Sequence, residues 1–191
     1  QQVQQAIATV ERELGALSGA IHAAGLLDDA MLPGQDAARF ARALAPKTGG
    51  AWNLHVALRS RPGAILVLFS SVAALLGLPG QANYAAANAG LDALARWRVA
   101  RGARAISINW GPWGEIGMAA QSERRGARLE SNGLASMVPA AALEAFGRAL
   151  DTNSAQLAIM TLDVAAFVGA YPPAARSALL HELATAGGAP V

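Results

Sequence analysis

Four short apolar runs divide the chain into alternating segments. Each run is bounded by Gly, Ser or another polar residue, and they are SGAIHAAG (18–25), AILVLFSS (64–71), RAISINWG (104–111) and AQLAIM (155–160). Continuous apolar runs are typical of strands that are buried on both faces of a parallel sheet. The segments between them are long enough for helices, so the pattern predicts an α/β fold with a doubly wound parallel sheet.

The segments between the runs show helical spacing. Apolar residues recur at i, i+4 and i+7 in the first segment and again between positions 142 and 150. The stripe in the first segment consists of Val3, Ile7, Val10, Leu14 and Leu17. A helix is also predicted from about Gln81 to Arg101, after Pro79-Gly80. Another is predicted to begin at Pro46, because proline is tolerated in a first helical turn.

Polar residues interrupt the apolar positions just after the second run. The stretch FSSVAALLGLPGQANYAAAN (69–88) contains Ser70, Ser71, Tyr84 and Asn88 among small apolar residues. Tyr84 and Asn88 are i and i+4 on the predicted helix, so both lie on its buried face. In open α/β sheets, ligands bind beyond the carboxyl ends of the strands. We therefore predict that these side chains line a cleft.

A lysine occupies an apolar helix face. Lys47, Ala51, Leu54 and Leu58 follow an i, i+4, i+7, i+11 stripe, where an unpaired ammonium is costly. One interpretation is a lysine that extends from a helix end to solvent. The other is a cation that reaches into the cleft. A lysine about 5 Å from a phenol stabilises the phenolate by roughly 3 kcal/mol, which lowers the usual phenol pKa of ~10 by about two.

These polar residues together predict carbonyl reduction. A serine hydroxyl would hold a carbonyl oxygen while Tyr84 protonates it, and Asn88 would orient Lys47 directly or through a water. No side chain carries a hydride, so a nicotinamide cofactor is implied. Spacing alone leaves one alternative open, in which all four residues are satisfied polar groups of a tight core.

Composition narrows the class of protein by exclusion. Hydrophobic residues make up 53% and charged residues 15% of 191 residues, which is typical of one globular domain. The net charge of +2 gives no argument for a nucleic-acid partner. The absence of cysteine excludes disulfides and thiolate zinc sites and fits the cytoplasm. The spacing of the three histidines, His22, His55 and His181, does not fit a metal site, so no metal is predicted. The longest apolar run is shorter than the ~20 residues of a membrane span, so no membrane association is predicted.

The chain resembles the ketoreductase domains of modular polyketide synthases, which belong to the short-chain dehydrogenase/reductase superfamily. The resemblance covers roughly residues 15–150 and rests on HAAGLLDDAML (22–32), LAPKTGGAWNLH (44–55), FSSVAALLGLPGQANYAAANAGLDALA (69–95) and INWGPWGEIGMA (108–119). Ordinary members of the superfamily carry Tyr-x-x-x-Lys. Here Asn88 follows Tyr84 at that spacing and the lysine lies upstream at Lys47, an exchange that is typical of polyketide and fatty-acid synthase ketoreductases.

The resemblance implies a role for each polar residue. Ser71 would bind the carbonyl, Tyr84 would donate the proton, Lys47 would modulate its pKa and Asn88 would be the fourth catalytic residue. Ser70 would be a structural residue at the strand end. The implied cofactor-binding residues are Ala23, Ala24 and Gly25 beside the adenosine part and Trp110, Gly111 and Pro112 over the nicotinamide.

The resemblance also implies a stereochemical outcome. Leu27-Asp28-Asp29 resembles the Leu-Asp-Asp signature of B-type ketoreductases, and Pro79 and Asn83 fit the same type, which implies a D-configured (3R) hydroxyl. Ala86 replaces the proline that marks epimerised substrates, so type B1 is implied. The other residues implied to border the substrate are Gln81, Trp113 and Met118. Without the resemblance, the aspartates are interpreted as solvated loop residues and the tryptophans as core.

The implied domain is incomplete within this sequence. No G-x-G-x-x-G phosphate loop occurs, and four strand runs are fewer than the six of a typical dinucleotide-binding sheet. We therefore predict that the N-terminal half of the nucleotide-binding unit lies outside the chain. Residues 1–185 would be the C-terminal portion of a ketoreductase catalytic domain, with a lid at about 114–137, and residues 186–191 would begin a linker.

Several functional expectations follow from the resemblance. NADPH is the implied cofactor, and the implied partners are an acyl carrier protein with a phosphopantetheine-tethered β-ketoacyl chain, the neighbouring synthase domains and the missing N-terminal half. Three functions stay open: an active β-ketoacyl thioester reductase, an inactive structural domain of a megasynthase, and a free dehydrogenase or epimerase. The intact set of Lys47, Ser71, Tyr84 and Asn88 favours the first, and the displaced lysine disfavours the third.

Overall fold

The chain folds into alternating strands and helices. A computed structural model describes residues 1–115 and 123–186. The strands are β1 (Gly19–His22), β2 (Ile65–Ser71), β3 (Ala105–Trp110), β4 (Leu134–Ala135), β5 (Gln156–Ile159) and β6 (Thr161–Leu162). The helices are α1 (Gln2–Leu14), α2 (Ala37–Leu44), α3 (Gly50–Leu58), α4 (Ala73–Leu76), α5 (Ala82–Val99), α6 (Glu123–Ser131), α7 (Pro139–Leu150), α8 (Val164–Ala170) and α9 (Ala178–Ala186).

The four predicted apolar runs all form strands. They make one sheet in the order β1-β2-β3-β5, and β1 pairs with β2 in parallel, with Gly19 opposite Ile65 and His22 opposite Leu68. A Cβ on Gly19 would lie 2.7 Å from Cγ2 of Ile65, so this close strand pairing requires a glycine. The predicted α/β fold with a Rossmann-like parallel sheet is confirmed.

The chain divides into two compact units, and the first comprises Gln1–Asn109 and Leu150–Ala158. Within it, α5 packs on β2 and contacts α2 and α4. The core between sheet and helices is apolar and consists mainly of Ile7, Ala51, Ala57, Leu58, Leu66, Leu68, Leu91, Leu94 and Ala95. The predicted stripe of α1 is buried only in part, because Ile7 reaches this core whereas Leu14 is exposed.

A continuous helical segment runs from α2 through α3. Residues 45–49 between them form a π-helical turn, in which the N–H of Gly50 donates to the carbonyl of Ala45. The prediction that a new helix begins at Pro46 is therefore wrong. Proline has no N–H to donate to the preceding turn, and the chain widens by one residue there instead of ending the helix. This turn contains Lys47, which is buried.

The second unit comprises Trp110–Ala149 and Ile159–Val191. Within it, β4 and β6 pair antiparallel, and Phe167, Leu134 and Leu180 are buried. The lid predicted at about 114–137 includes α6 and β4, but residues 116–122 lie outside the described residues, as do residues 187–191 of the predicted linker. Both assignments stay predictions. Among the described helices, none combines the length and the hydropathy needed to cross a membrane.

Candidate active site

Helix α5 presents Tyr84 and Asn88 on one buried face. Both side chains are buried, as are Ala87 and Leu91 beside them. Asn88 Nδ2 donates to the carbonyl oxygen of Tyr84 at 2.8 Å, which fixes the amide against the preceding helical turn. The prediction that the two residues share the buried face of this helix is confirmed.

Lys47 reaches the same place from the π-helical turn. Its side chain is only 3% exposed, and its Nζ lies 5.3 Å from the centroid of the Tyr84 ring. The ammonium donates to the carbonyl oxygen of Phe69 in β2 at 2.9 Å, and His22 Nε2 lies 2.9 Å from the carbonyl oxygen of Lys47. Two strands of the sheet therefore hold the lysine against the tyrosine, and the interpretation as a solvent-directed lysine is wrong.

A close helix contact makes this approach possible. A Cβ on Gly90 in α5 would lie 2.7 Å from Oγ1 of Thr48, the residue after Lys47. Thr48 Oγ1 donates to the carbonyl oxygen of Ala87 at 3.1 Å. The small residue at position 90 thus lets α5 pack directly on the π-helical turn, which brings Tyr84 and Lys47 together.

Burial changes the acid–base behaviour of Lys47. Desolvation lowers the pKa of its ammonium from 10.5 to about 8, and the negative charge of Asp92 opposes part of that shift. A strongly perturbed titratable group beside a phenol is a common feature of functional sites. The lysine is a cation at neutral pH that is held in the protein interior.

The two serines at the end of β2 have different environments. Ser70 is buried, its Oγ donates to the carbonyl oxygen of Asn88 at 3.3 Å, and it accepts from Asn109 Nδ2 at 3.0 Å. Ser71 is half-buried, and its Oγ accepts from the N–H of Ala73 at 3.2 Å. The interior bonds of Ser70 agree with its interpretation as a structural residue, whereas the hydroxyl proton of Ser71 can still be donated to a ligand.

The residues after β1 are two exposed alanines and a glycine that packs closely against Lys47. Ala23 and Ala24 are exposed, and a Cβ on Gly25 would lie 2.8 Å from Cε of Lys47. Asn88 Oδ1 is buried and accepts no hydrogen bond from any described residue. Of the two predicted ways in which Asn88 would orient Lys47, the direct hydrogen bond is not formed, and the one through a water stays a prediction. A buried free acceptor and an open backbone edge next to a cation fit a polar cofactor such as a nicotinamide nucleotide.

The structure brings the two predicted stereocontrol segments together. Asn83 is fully buried, and its Nδ2 donates to the carbonyl oxygen of Asp28 at 2.8 Å. The N–H of Ala30 donates to the carbonyl oxygen of Gly80 at 2.9 Å, and Gln81 Nε2 lies 3.3 Å from Asp29 Oδ2. Leu27 is half-buried and Pro79 is exposed. The loop 27–30 is thus fastened to the start of α5, just before Tyr84.

Two arginines of α2 hold this loop, and sequence reasoning did not identify them. Arg42 Nη2 lies 2.6 Å from Asp28 Oδ2, and Arg39 Nη1 pairs with Asp28 Oδ1. The interpretation of Asp28 as a freely solvated residue is therefore wrong. Arginines at i and i+3 on a helix share a face, but the sequence does not show which carboxylate that face meets.

The other predicted cofactor residues lie in the second unit. Within that unit, the rings of Trp110 and Trp113 are 4.9 Å apart, and the N–H of Gly111 donates to the carbonyl oxygen of Ile159 at 2.8 Å. Pro112 is buried, and its carbonyl oxygen accepts from the N–H of Met137 at 2.8 Å. Met118 lies outside the described residues. The functional roles of these residues stay predictions.

A buried carboxylate beneath the site was also missed. Asp92 is 3% exposed; its Oδ1 accepts from Ser107 Oγ at 2.6 Å and its Oδ2 from Asn109 Nδ2 at 2.9 Å. A sequence signal was available, because Asp92 follows Asn88 by four positions and lies on the same buried helix face. In the described part of the chain, no group of His, Cys, Asp or Glu is arranged to hold a metal ion.

Comparisons with known proteins identify the family of the chain. The family described as "KR domain" matches residues 1–115. The chain is 44% identical over 157 residues to polyketide synthase GfsB of Streptomyces halstedii and 44% identical over 173 residues to the phenolphthiocerol synthesis polyketide synthase Pks15/1 of Mycobacterium bovis. The aligned parts cover 82% and 86% of this chain, but only 3% and 8% of those proteins.

A solved structure described as A-type ketoreductases from modular polyketide synthase is also similar. It superposes with a TM-score of 0.85 and is 36% identical. The similarity covers 92% of this chain and 38% of the solved chain. The chain therefore spans a small fraction of its curated relatives and less than half of a solved ketoreductase.

Proposed function

The chain belongs to the KR domain family of modular polyketide synthases, and we propose that it reduces the β-keto group of an acyl thioester to a hydroxyl group. One observation carries the proposal. A buried lysine ammonium lies 5.3 Å from the ring centroid of a buried tyrosine, at the end of the strand that carries Ser71.

Electrostatics explains why this pair suits proton transfer. At an effective dielectric constant of about 20, a cation about 5 Å from a phenolate charge stabilises it by about 3 kcal/mol, and the Lys47 ammonium lies 5.3 Å from the centroid of the Tyr84 ring. An ordinary phenol is too weak an acid to donate a proton efficiently near neutral pH. The lysine therefore makes Tyr84 a stronger acid, and its own position is secured by the carbonyl oxygen of Phe69.

Each polar side chain then has one task. The Ser71 hydroxyl donates a hydrogen bond to the substrate carbonyl oxygen and orients it toward Tyr84. The phenol of Tyr84 transfers its proton to that oxygen as negative charge develops there, and Lys47 stabilises the resulting phenolate. Asn88 keeps the helical turn beneath Tyr84 in place through its bond to the Tyr84 carbonyl, and its buried Oδ1 remains available to accept a hydrogen bond.

A nicotinamide cofactor supplies the hydride when it is bound. We propose NADPH, by resemblance to the family, with its adenosine part beside Ala23, Ala24 and Gly25. The second set of proposed cofactor contacts is Trp110, Gly111 and Pro112.

The proposed product is the D-configured (3R) alcohol of a B1-type ketoreductase. The support is local: the Leu27-Asp28-Asp29 loop is fastened to Asn83 at the start of α5, one residue before Tyr84. A loop in this position can decide which face of the ketone is presented to the proton donor. The proposed further substrate contacts are Pro79, Gln81, Trp113 and Met118.

We also propose how the substrate arrives. The curated relatives are polyketide synthases of which this chain matches only a small part. In such an assembly the β-ketoacyl chain would be carried on the phosphopantetheine arm of an acyl carrier protein, and the chain would work beside other synthase domains in the cytoplasm. An inactive structural role is disfavoured, because none of the four proposed catalytic residues is replaced.

A stereochemical assay tests the proposal. The polypeptide that carries this chain would be given NADPH and a racemic 2-methyl-3-ketoacyl thioester, and the alcohols would be separated by chiral chromatography. A single 3R alcohol that is lost in Tyr84→Phe is expected. NADPH binding without turnover would instead support the structural role, and a 3S product would overturn the B-type assignment while leaving the reductase function intact.

A further inference from the structure

Asp92 is a buried carboxylate for which the proposed chemistry has no role so far. It lies one helical turn after Asn88 on α5, and its two oxygens accept hydrogen bonds from Ser107 and Asn109 of β3. A buried carboxylate is costly unless it is hydrogen-bonded and paired with a positive charge. Its hydrogen bonds are accounted for, and the remaining question is which cation compensates it.

The bonds of Asn109 connect Asp92 to the catalytic residues. Asn109 Nδ2 lies 2.9 Å from Asp92 Oδ2, 3.0 Å from Ser70 Oγ and 3.1 Å from the carbonyl oxygen of Ser71. Ser70 Oγ in turn donates to the carbonyl oxygen of Asn88. One amide therefore links the end of β2 to α5, and the carboxylate sets the orientation of that amide because a carboxylate only accepts.

The other side of Asn109 is also fixed. Its Oδ1 accepts from Gln156 Nε2 of β5 at 2.8 Å, and Gln156 Oε1 accepts from Arg96 Nη1 at 2.6 Å. With both ends of the amide engaged, Asn109 cannot flip without breaking bonds to three elements. The backbone of Ser71 and the turn of α5 that carries Asn88 are therefore held in a fixed relative position.

We propose that Asp92 is a positioning residue of this site, which holds the Asn109 amide against β2 and α5 and provides the buried negative charge that compensates Lys47. Three titratable groups surround Lys47: the Tyr84 ring on α5 lies 5.3 Å from its Nζ, His22 on β1 contacts its backbone carbonyl, and the charge of Asp92 on α5 raises its pKa. The pKa of His22 is lowered, chiefly by burial, so His22 is neutral at and above neutral pH and does not compete with this charge. The catalytic consequence of this inference rests on the proposed reductase function.

The charge makes a distinctive prediction for Lys47. Burial lowers the pKa of this ammonium to about 8, and the charge of Asp92 acts in the opposite direction. Removing that charge in Asp92→Asn leaves desolvation unopposed, so Lys47 should lose its proton at a lower pH than in the wild type. The alkaline limb of kcat/KM should move in the same direction, because the Lys47–Tyr84 pair titrates together.

The titration can be measured without any turnover. In the polypeptide that carries this chain, lysines labelled with ¹³C at Cε can be followed by NMR, and the Lys47 signal is assigned by its loss in Lys47→Met. Ser107→Ala is the matched control: it removes one hydrogen bond from the same carboxylate and keeps the charge. We expect a pKa of about 8 in the wild type, a clear drop in Asp92→Asn, and a change within about 0.3 unit in Ser107→Ala.

Two results would overturn the inference. One is an unchanged Lys47 titration in Asp92→Asn, and the other is an equal drop in Ser107→Ala, which would assign the effect to altered packing. If Asp92→Asn does not fold, Asp92→Ser removes the same charge and keeps a hydrogen-bond acceptor. A wild type without reductase turnover would contradict the proposed function alone, because the NMR titration is independent of it.

Discussion

Two parts of the first unit hold charged side chains by different means. Lys47 is 3% exposed and is held by the Phe69 carbonyl oxygen beside the Tyr84 ring. The Asp28 side chain is 19% exposed and pairs with Arg39 and Arg42, which are 31% and 52% exposed. The first arrangement is protected from solvent, whereas the second is open to water and salt.

This difference in exposure predicts that one region affects the reaction rate and the other affects the ratio of products. Charges in the interior are little screened, so changes around Lys47 should alter the chemical step and its pH dependence. Partly exposed ion pairs contribute about 0.2–1 kcal/mol and weaken with salt. Changes around Asp28 should therefore shift only the balance between two products, since small free-energy differences suffice for that.

The largest effect is expected at the buried proton donor. Tyr84→Phe removes the phenolic proton and leaves the ring in place, so the rate of NADPH oxidation with a β-ketoacyl thioester should fall by about 10²–10⁴-fold. Tyr171→Phe is the matched control, because the chain has one other tyrosine and its hydroxyl accepts from Asn132 in the second unit. An equal loss in both variants would show that the phenol of Tyr84 has no special role.

The buried cation should have the next largest effect. Lys47→Met removes about 3 kcal/mol of phenolate stabilisation, which corresponds to a rate loss of about 100-fold. The wild-type pH profile should have an alkaline limb near the Lys47 pKa of about 8. In Lys47→Met, the contribution of Lys47 to this limb should be absent. Rates measured from pH 6 to about pH 10 check this. A wild-type rate that stays constant through that range would contradict the assignment of Lys47.

The same variant should be more stable than the wild type. Because the folded pKa of Lys47 is lowered, the unfolded chain binds more protons between pH 8 and 10.5, and wild-type stability rises with pH across that window. The gain in Lys47→Met, at most about 3 kcal/mol, should therefore be full below about pH 8 and vanish above about pH 10.5. Urea unfolding at several pH values measures it.

The sequence predicted the buried residues of this site better than the turn and the ion pairs that hold them in place. All four apolar runs became strands, and the i, i+4 spacing placed Tyr84 and Asn88 on one buried face, because burial leaves a periodic signal. The π-helical turn at Pro46 was not predicted, because the sequence does not distinguish a helix that widens at a proline from a helix that begins there. The pairing of Arg39 and Arg42 with Asp28 was missed because long-range partners of exposed charges leave no local pattern.

A smaller effect is expected where α5 meets the π-helical turn. Gly90→Ala places a methyl group 2.7 Å from Thr48 Oγ1, which should cost about 1–3 kcal/mol of stability and lower the rate by moving Tyr84 from Lys47. Gly147→Ala is the matched control, since that helical glycine has no neighbour within 4 Å and should gain about 0.5–1 kcal/mol. Chemical denaturation checks both values, and Thr48→Ala should restore most of the loss in the double variant.

The smallest effect is expected at the partly exposed ion pairs of Asp28. Arg42→Ala removes one of the two cations that hold Asp28, so the loop 27–30 should be less firmly fixed against Asn83 while Lys47 and Tyr84 stay in place. A pair worth up to about 1 kcal/mol changes a product ratio by at most about fivefold, and high salt should reproduce part of the change in the wild type. Arg148→Ala is the control, because it removes an exposed pair with Glu144 in α7. Chiral chromatography of the alcohols at low and high salt measures the product ratio. A change in rate without a change in product ratio would show that Arg42 affects the catalytic step. The two regions would then not differ in their effects on rate and selectivity.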